Sequence, residues 1–240
     1  MRLMTNSRFG GSLMGDPLAV AGAVLIAVAP SLAALAYFAR KDRRGWLCLG
    51  IGGVGWFAAL LLRLVPLQLP AFVLGPAIAS TVLYFAYAAV LAGIFEEGVR
   101  YLLLWKAGFI RADMRYVLCF GLGWGLLEAV LIYAVNVVVA YYLGYALSLT
   151  DLLPGAVERN LAVVMHVALT LMVFKAFQSR RYLFVAMALH AAVDFAAVAS
   201  YYTLHLPVWH VEGILLVIVL ILAAYAAFIT KKKKAGSWQA

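Results

Sequence analysis

The chain has 240 residues, 67% of them hydrophobic and 12% charged, with a net charge of +9 and a mean hydropathy of +1.00. That composition excludes a soluble globular domain. It reads as an all-α polytopic transmembrane helix bundle, and the excess positive charge needs no nucleic-acid partner once its distribution between loops is considered.

A bilayer core of ~30 Å takes about 20 apolar residues per helix, and seven such windows follow one another: 18–38, 46–64, 78–105, 116–142, 157–177, 182–202 and 208–229. The first follows Arg2 and Arg8 and contains Ala34-Leu-Ala36, the look of a secretory signal. Its length, and the stop-transfer run Arg40 to Arg44 behind it, make it a span instead. Proline-bearing 65–77 and 144–156 read as the longest loops, both external. No internal repeat is found, and the chain reads as a single integral membrane domain over 1–240, with a core near 78–203 and supporting helices at 17–65 and 208–230.

Basic residues set the orientation. Arg40, Lys41, Arg43 and Arg44 follow the first window, Lys106, Arg111 and Arg115 the third, Lys175, Arg180 and Arg181 the fifth, and Lys231 to Lys234 the seventh. All fall on one side of the alternation, against Arg2, Arg8, Arg63 and Arg159 on the other. The expectation is an N-terminus outside, a cytoplasmic C-terminus, and a lysine tail drawn to anionic membrane lipids. Cys48 and Cys119 then lie near the cytoplasmic side, where a disulfide is not expected, and their spacing suits no zinc motif.

Ionisable residues interrupt the middle windows: Glu96, Glu97 and Arg100 in the third, Glu128 in the fourth, His166 in the fifth, His190 and Asp194 in the sixth. Each charge at mid-bilayer costs about 2.5–3.5 kcal/mol on the insertion scale, so these groups are expected to meet in a shared interior. At ~1.5 Å rise per residue, Glu96 lies about 15 Å in from Lys106, His166 about 14 Å from Lys175, His190 about 14 Å from Arg181 and Glu128 about 20 Å from Arg115. Arg100 stands i+4 from Glu96 and i+3 from Glu97, so it can bridge one or both. Neighbouring residues diverge by about 100° on a helix, so one glutamate is left for chemistry while the other holds the arginine. His190 and Asp194 share a face at i,i+4, a spacing that lets the carboxylate orient the ring. Gly121, Gly123 and Gly125 do not form a phosphate loop and are read as a close-packing surface that brings Glu128 inward. His205, His210 and Glu212, at the external end, are read as solvated.

These groups suit hydrolysis. A carboxylate in an apolar pocket is a usable general base for water. Two histidines and a glutamate could hold a zinc ion with one position open for water. Without metal, the histidines could instead stabilise an oxyanion. Intramembrane Glu, His and Arg chains also build proton relays, so a proton-coupled transporter or channel is the alternative, with Asn136, Glu158 and Arg159 extending a path outward. A non-catalytic membrane scaffold is the third reading.

Glu96-Glu-Gly-Val-Arg100, Gly121-Leu-Gly-Trp-Gly-Leu-Leu-Glu128, the segment from Glu158 to His166 and His190-Ala-Ala-Val-Asp194 together resemble the YhfC family of intramembrane metalloproteases. That family belongs to a superfamily with the PrsW proteases, the bacterial CPBP proteins and the type II CAAX prenyl endopeptidases. The resemblance implies a hydrolase of the bacterial or archaeal cytoplasmic membrane that cleaves a membrane-protein or lipidated-peptide substrate. It implies Glu96 as catalytic base, Glu97 and Arg100 as its supporting pair, and Asp194 as a supporting carboxylate. His166 and His190 would be metal ligands, with Glu96 as a third, or would stabilise the transition state in a metal-free glutamic mechanism. The arginine comes one position earlier than in the E-E-x-x-x-R of the prenyl endopeptidases, and Asp194 stands where many of them have asparagine, which weakens any transfer of prenyl-peptide specificity.

Overall fold

A computed structural model describes residues 16–40 and 42–231; Arg2, Arg8, Lys41 and Lys232 to Lys234 lie outside them. Among the described residues there are seven helices long and apolar enough to cross a membrane and no strand. They are α1 (Pro17–Ala39), α2 (Arg43–Leu74), α3 (Val82–Lys106), α4 (Met114–Tyr142), α5 (Leu149–Lys175), α6 (Arg181–Tyr202) and α7 (Val208–Lys231). Aspartate or hydroxyl side chains cap the first turns: Asp16, Asp42, Thr81, Asp113 and Ser148 each accept from a backbone N–H of α1 to α5 in turn. The outer surface is apolar, with Leu61, Leu62, Leu102, Leu216 and Leu220 exposed, while the charged groups lie inside. Such a pattern suits lipid as the surrounding solvent.

Helix α2 departs from the sequence reading. It runs through Pro66 and Pro70 to Leu74, absorbing most of the segment expected to be a loop. Pro70 has no N–H to give the carbonyl of Pro66, four residues earlier. The Tyr87 hydroxyl donates to that carbonyl at 2.6 Å, and Tyr84 donates to the carbonyl of Leu67 at 3.2 Å. The same repair operates in α1, where Pro30 strips Ile26 O of its helical donor and Asn160 Nδ2 replaces it at 2.9 Å. Neighbouring helices thus satisfy backbone groups that lipid could not. Helix α5 starts at Leu149, so 144–156 is largely helical too.

Helices α4 and α5 are central: α4 packs on α2 and α5, α5 on α1 and α7, and α3 is held between α2 and α6. Small residues allow these approaches. A Cβ at Gly123 would lie 2.1 Å from Leu49 O of α2, and one at Gly93 would lie 2.3 Å from Met187 O of α6. Gly93 is one turn before Glu96 and Met187 one turn before His190, so this crossing sets how closely the helices carrying Glu96 and His190 meet. Just past Glu128, α4 makes a π-helical turn over Ala129–Ala134. Such turns insert extra residues per turn and re-phase the faces that follow.

Candidate active site

Helix α3 delivers two carboxylates in different directions, as their 100° divergence requires. Glu97 points at Arg100, whose Nη1 donates to both its oxygens at 2.7 and 2.6 Å, and Glu97 Oε1 also meets His190 Nδ1 at 2.7 Å. All three side chains are within 2% of complete burial. Glu96 turns the other way: Oε2 accepts from Trp124 Nε1 at 3.1 Å, and Oε1 pairs with Arg63 Nη1 of α2 at 3.0 Å. Of the two glutamates Arg100 therefore pairs with Glu97, while Glu96 is left beside the histidines.

The hydrogen-bond partners fix both imidazoles. Arg100 has donors only, so His166 Nδ1, 3.1 Å from its Nη2, is an acceptor. The proton of His166 then lies on Nε2 and is given to Glu128 Oε2 at 2.6 Å. For His190 the carboxylate of Glu97 makes Nδ1 the donor, so Nε2 faces Glu96 Oε2 at 3.9 Å and Asp194 Oδ2 at 3.6 Å. Those last two distances exceed a direct hydrogen bond, so His190 Nε2 is left without a direct bond to either carboxylate. The two rings meet edge-on with centroids 5.5 Å apart, and the Arg100 guanidinium lies 4.4 Å over the Trp124 ring.

Each residue singled out from the sequence joins one network: Glu96, Glu97, Arg100, Glu128, His166, His190 and Asp194. Details differ from expectation. The His190 ring is held by Glu97, not by Asp194. Thr170, one turn along α5 from His166, donates to the His166 carbonyl at 2.7 Å. Asn136 bonds to carbonyls of its own helix and does not extend the polar chain. Glu212 is buried, with Oε2 unpartnered among the described residues, and is not solvated as expected; His205 and His210 are exposed.

Two contributors escape a sequence reading. Arg63 counts there only as an outer-side cation at the end of the second window, yet it sits within α2 on Glu96; the apolar run continuing past it to Leu74 was the signal. Trp124 carries no signal apart from its place among the glycines. Arg159, read as part of an outward polar path, binds Glu128 at 2.9 Å and pairs with Glu158.

Glu96, His166 and His190 each offer a ligand atom, all within 4.8 Å of one another. Two imidazoles and a carboxylate match the donor set of catalytic zinc sites. The carboxylate behind His190 Nδ1–H is the support a metal-binding histidine needs. His166 would have to exchange Arg100 or Glu128 for the ion. The donor set fits a zinc ion.

Seven apolar helices enclosing an acid and imidazole cluster at mid-bundle make up an integral membrane protein with the furnishings of an intramembrane hydrolase. The chain belongs to the YhfC intramembrane metalloprotease family, whose sequence model matches residues 23–153 and 145–215. No curated protein sequence matches it.

Proposed function

We propose that this protein is an intramembrane endopeptidase in which Glu96 is the base that activates water against a peptide bond of a membrane-borne substrate. The observation that carries this reading is the grouping of His190 Nε2, Glu96 Oε2 and Asp194 Oδ2, which stand 3.6 and 3.9 Å apart without bonding to one another, so that a single water beside them can meet groups able to take its proton. Glu96 accepts that proton as the oxygen adds to the carbonyl carbon, and returns it to the leaving amine as the C–N bond breaks. His190 faces the reacting atoms through Nε2, with its other nitrogen fixed by Glu97. Glu97 is held in turn by Arg100, a chain that keeps the ring from rotating. Glu128 orients His166 and is itself anchored by Arg159. His166, His190 and Glu96 are the residues that would hold a zinc ion, which would polarise the carbonyl and lower the cost of ionising water; Glu96 would then be a ligand in place of a free base.

A proton-coupled transporter needs a polar path through the bundle. The chain Glu158, Arg159, Glu128, His166 and Arg100 reaches from one end to the centre, but beyond Arg100 it is not continued: Leu104, Leu169 and Met172 are fully buried there, the buried Thr170 hydroxyl is spent on the His166 carbonyl, and Lys175 bonds to Gln178. That supports hydrolysis over conduction. Topology follows from the same reading: with the basic ends of α3, α5 and α7 cytoplasmic, the site lies near the midplane. The test is cleavage of an internally quenched peptide by purified protein in vesicles. Glu96→Gln, His166→Ala and His190→Ala are expected to abolish it while circular dichroism stays helical, and metal analysis of the three would report whether zinc leaves with the histidines. Full activity in all three variants ends the proposal.

A further inference from the structure

We infer that substrate enters from the end of the bundle opposite the basic loops, through a groove between α2, α3 and α6. Its occupant is an extended, membrane-borne peptide segment with small apolar side chains, one of whose backbone carbonyls is received by Arg63. The inference rests on the hydrolytic reading only in that the groove leads to Glu96.

A cavity of about 270 Å³ adjoins the site, lined by Arg63, Phe85, Ala88, Ala92, Glu158 and Asp194 among others. That is the share of roughly nine liquid waters, room for a short stretch of small residues. Every lining residue lies on one side of the cluster: in the last part of α2, the first parts of α3 and α5, and the last part of α6. Those parts converge at the end of the bundle away from Lys106, Lys175, Arg181 and Lys231. On the other side of the cluster the interior is shut. Leu104, Phe120, Trp124, Leu169, Met172 and Ala186 each have no exposed surface. A smaller opening, lined by Glu128, Arg159 and Asp194 beside α7, lies at the same end as the groove.

The walls state what fits. Alanines 88, 89, 92 and 197 widen the groove but leave no pocket for a large side chain, so an extended backbone with small substituents is the matching shape. Arg63 spends Nη1 on Glu96, and its Nε is buried without a partner among the described residues. A guanidinium offers five N–H donors, so unspent ones remain for a carbonyl oxygen next to the base. A substrate carboxylate is disfavoured there, because Glu158 and Asp194 stand beside Arg63 with side chains about one-third exposed, at 36% and 35%. A neutral peptide carbonyl meets Arg63 without that repulsion.

Cysteine labelling in sealed vesicles of known orientation tests the route without requiring activity. With buried Cys48 and Cys119 replaced by alanine, Ala88→Cys and Val198→Cys are expected to react with a membrane-impermeant maleimide only from the face opposite Lys231, and Leu104→Cys from neither face. Labelling from the Lys231 face alone, or of neither groove position, overturns the route. Occupancy is read in the Glu96→Gln background with a peptide of alternating alanine and leucine: at saturation it should slow labelling of Ala88→Cys at least tenfold, and Arg63→Gln should raise the concentration needed at least tenfold where Arg63→Lys does not. No protection overturns the assigned occupant. If labelling and protection hold but the wild type cleaves no such peptide, the groove stands and the hydrolytic reading falls; cleavage with labelling from the Lys231 face does the reverse.

Discussion

Replacing Glu97 by glutamine removes one charge from the most enclosed ion pair in the molecule. Arg100 and Glu97 are both inaccessible, joined by two contacts of 2.6–2.7 Å, and Arg100 Nε has no partner among the described residues. With the negative charge gone, the guanidinium keeps a neutral amide oxygen at position 97, His166 through a neutral nitrogen, and the Trp124 face, none of which balances its charge. Breaking one partner of a buried pair costs about 3–5 kcal/mol. Within lipid the unfolded reference also finds partners, so the lower end applies. About 3 kcal/mol is a shift of roughly 100-fold in the unfolding equilibrium, at 1.4 kcal/mol per decade. Adding Arg100→Gln removes the stranded charge and should restore part of the loss, but not the contacts to His166 and Trp124. The assay is reversible unfolding in mixed micelles on the single and double variants, read as a double-mutant cycle. Glu97→Gln within about 0.5 kcal/mol of wild type, or no coupling to Arg100, would refute the claim that this pair supports the site.

Other outcomes follow from single contacts. Tyr87→Phe orphans the Pro66 carbonyl in lipid, and a loss of about 1–3 kcal/mol is expected in the same unfolding assay, with increased hydrogen exchange near Leu67 and none in α5. Gly93→Ala drives a methyl into the Met187 carbonyl, so α3 and α6 must part; destabilisation of about 1–3 kcal/mol and loss of cleavage are expected, whereas Gly213→Ala, with open space around it, should alter neither. The Asp42 carboxyl is held below its usual range by the Tyr116 hydroxyl and the Arg44 N–H. Its contribution to α2 is therefore present above the ordinary carboxylate range and lost as pH falls through the lowered value. The acid limb of thermal stability should flatten in Asp42→Asn.

Much of this architecture is legible in the residues because lipid enforces strict rules. A spanning segment must be apolar and about 20 residues long, and a charge within it must find a partner, so windows, midplane depth and the co-location of Glu96, His166 and His190 can be read along the chain. The division of labour between Glu96 and Glu97 is equally legible, since adjacent helical residues cannot share a direction. Loop boundaries are not: prolines 66 and 70 read as a break, but α2 continues, with the hydroxyls of Tyr84 and Tyr87 on another helix donating to its carbonyls there.

The sequence by itself thus determined the class of structure and which ionisable residues of α3 to α6 come together, because periodicity and the cost of buried charge are local properties of each helix. Only the tertiary structure decided which oxygen meets which nitrogen. Arg63 is drawn to Glu96, His190 turns on Glu97, His166 is held between Arg100 and Glu128, and one end of the cluster is open while the other is packed shut. Those pairings depend on how far each helix is rotated and how closely it approaches its neighbours, set by glycines and a π-turn acting across helices, and no spacing within one segment encodes them.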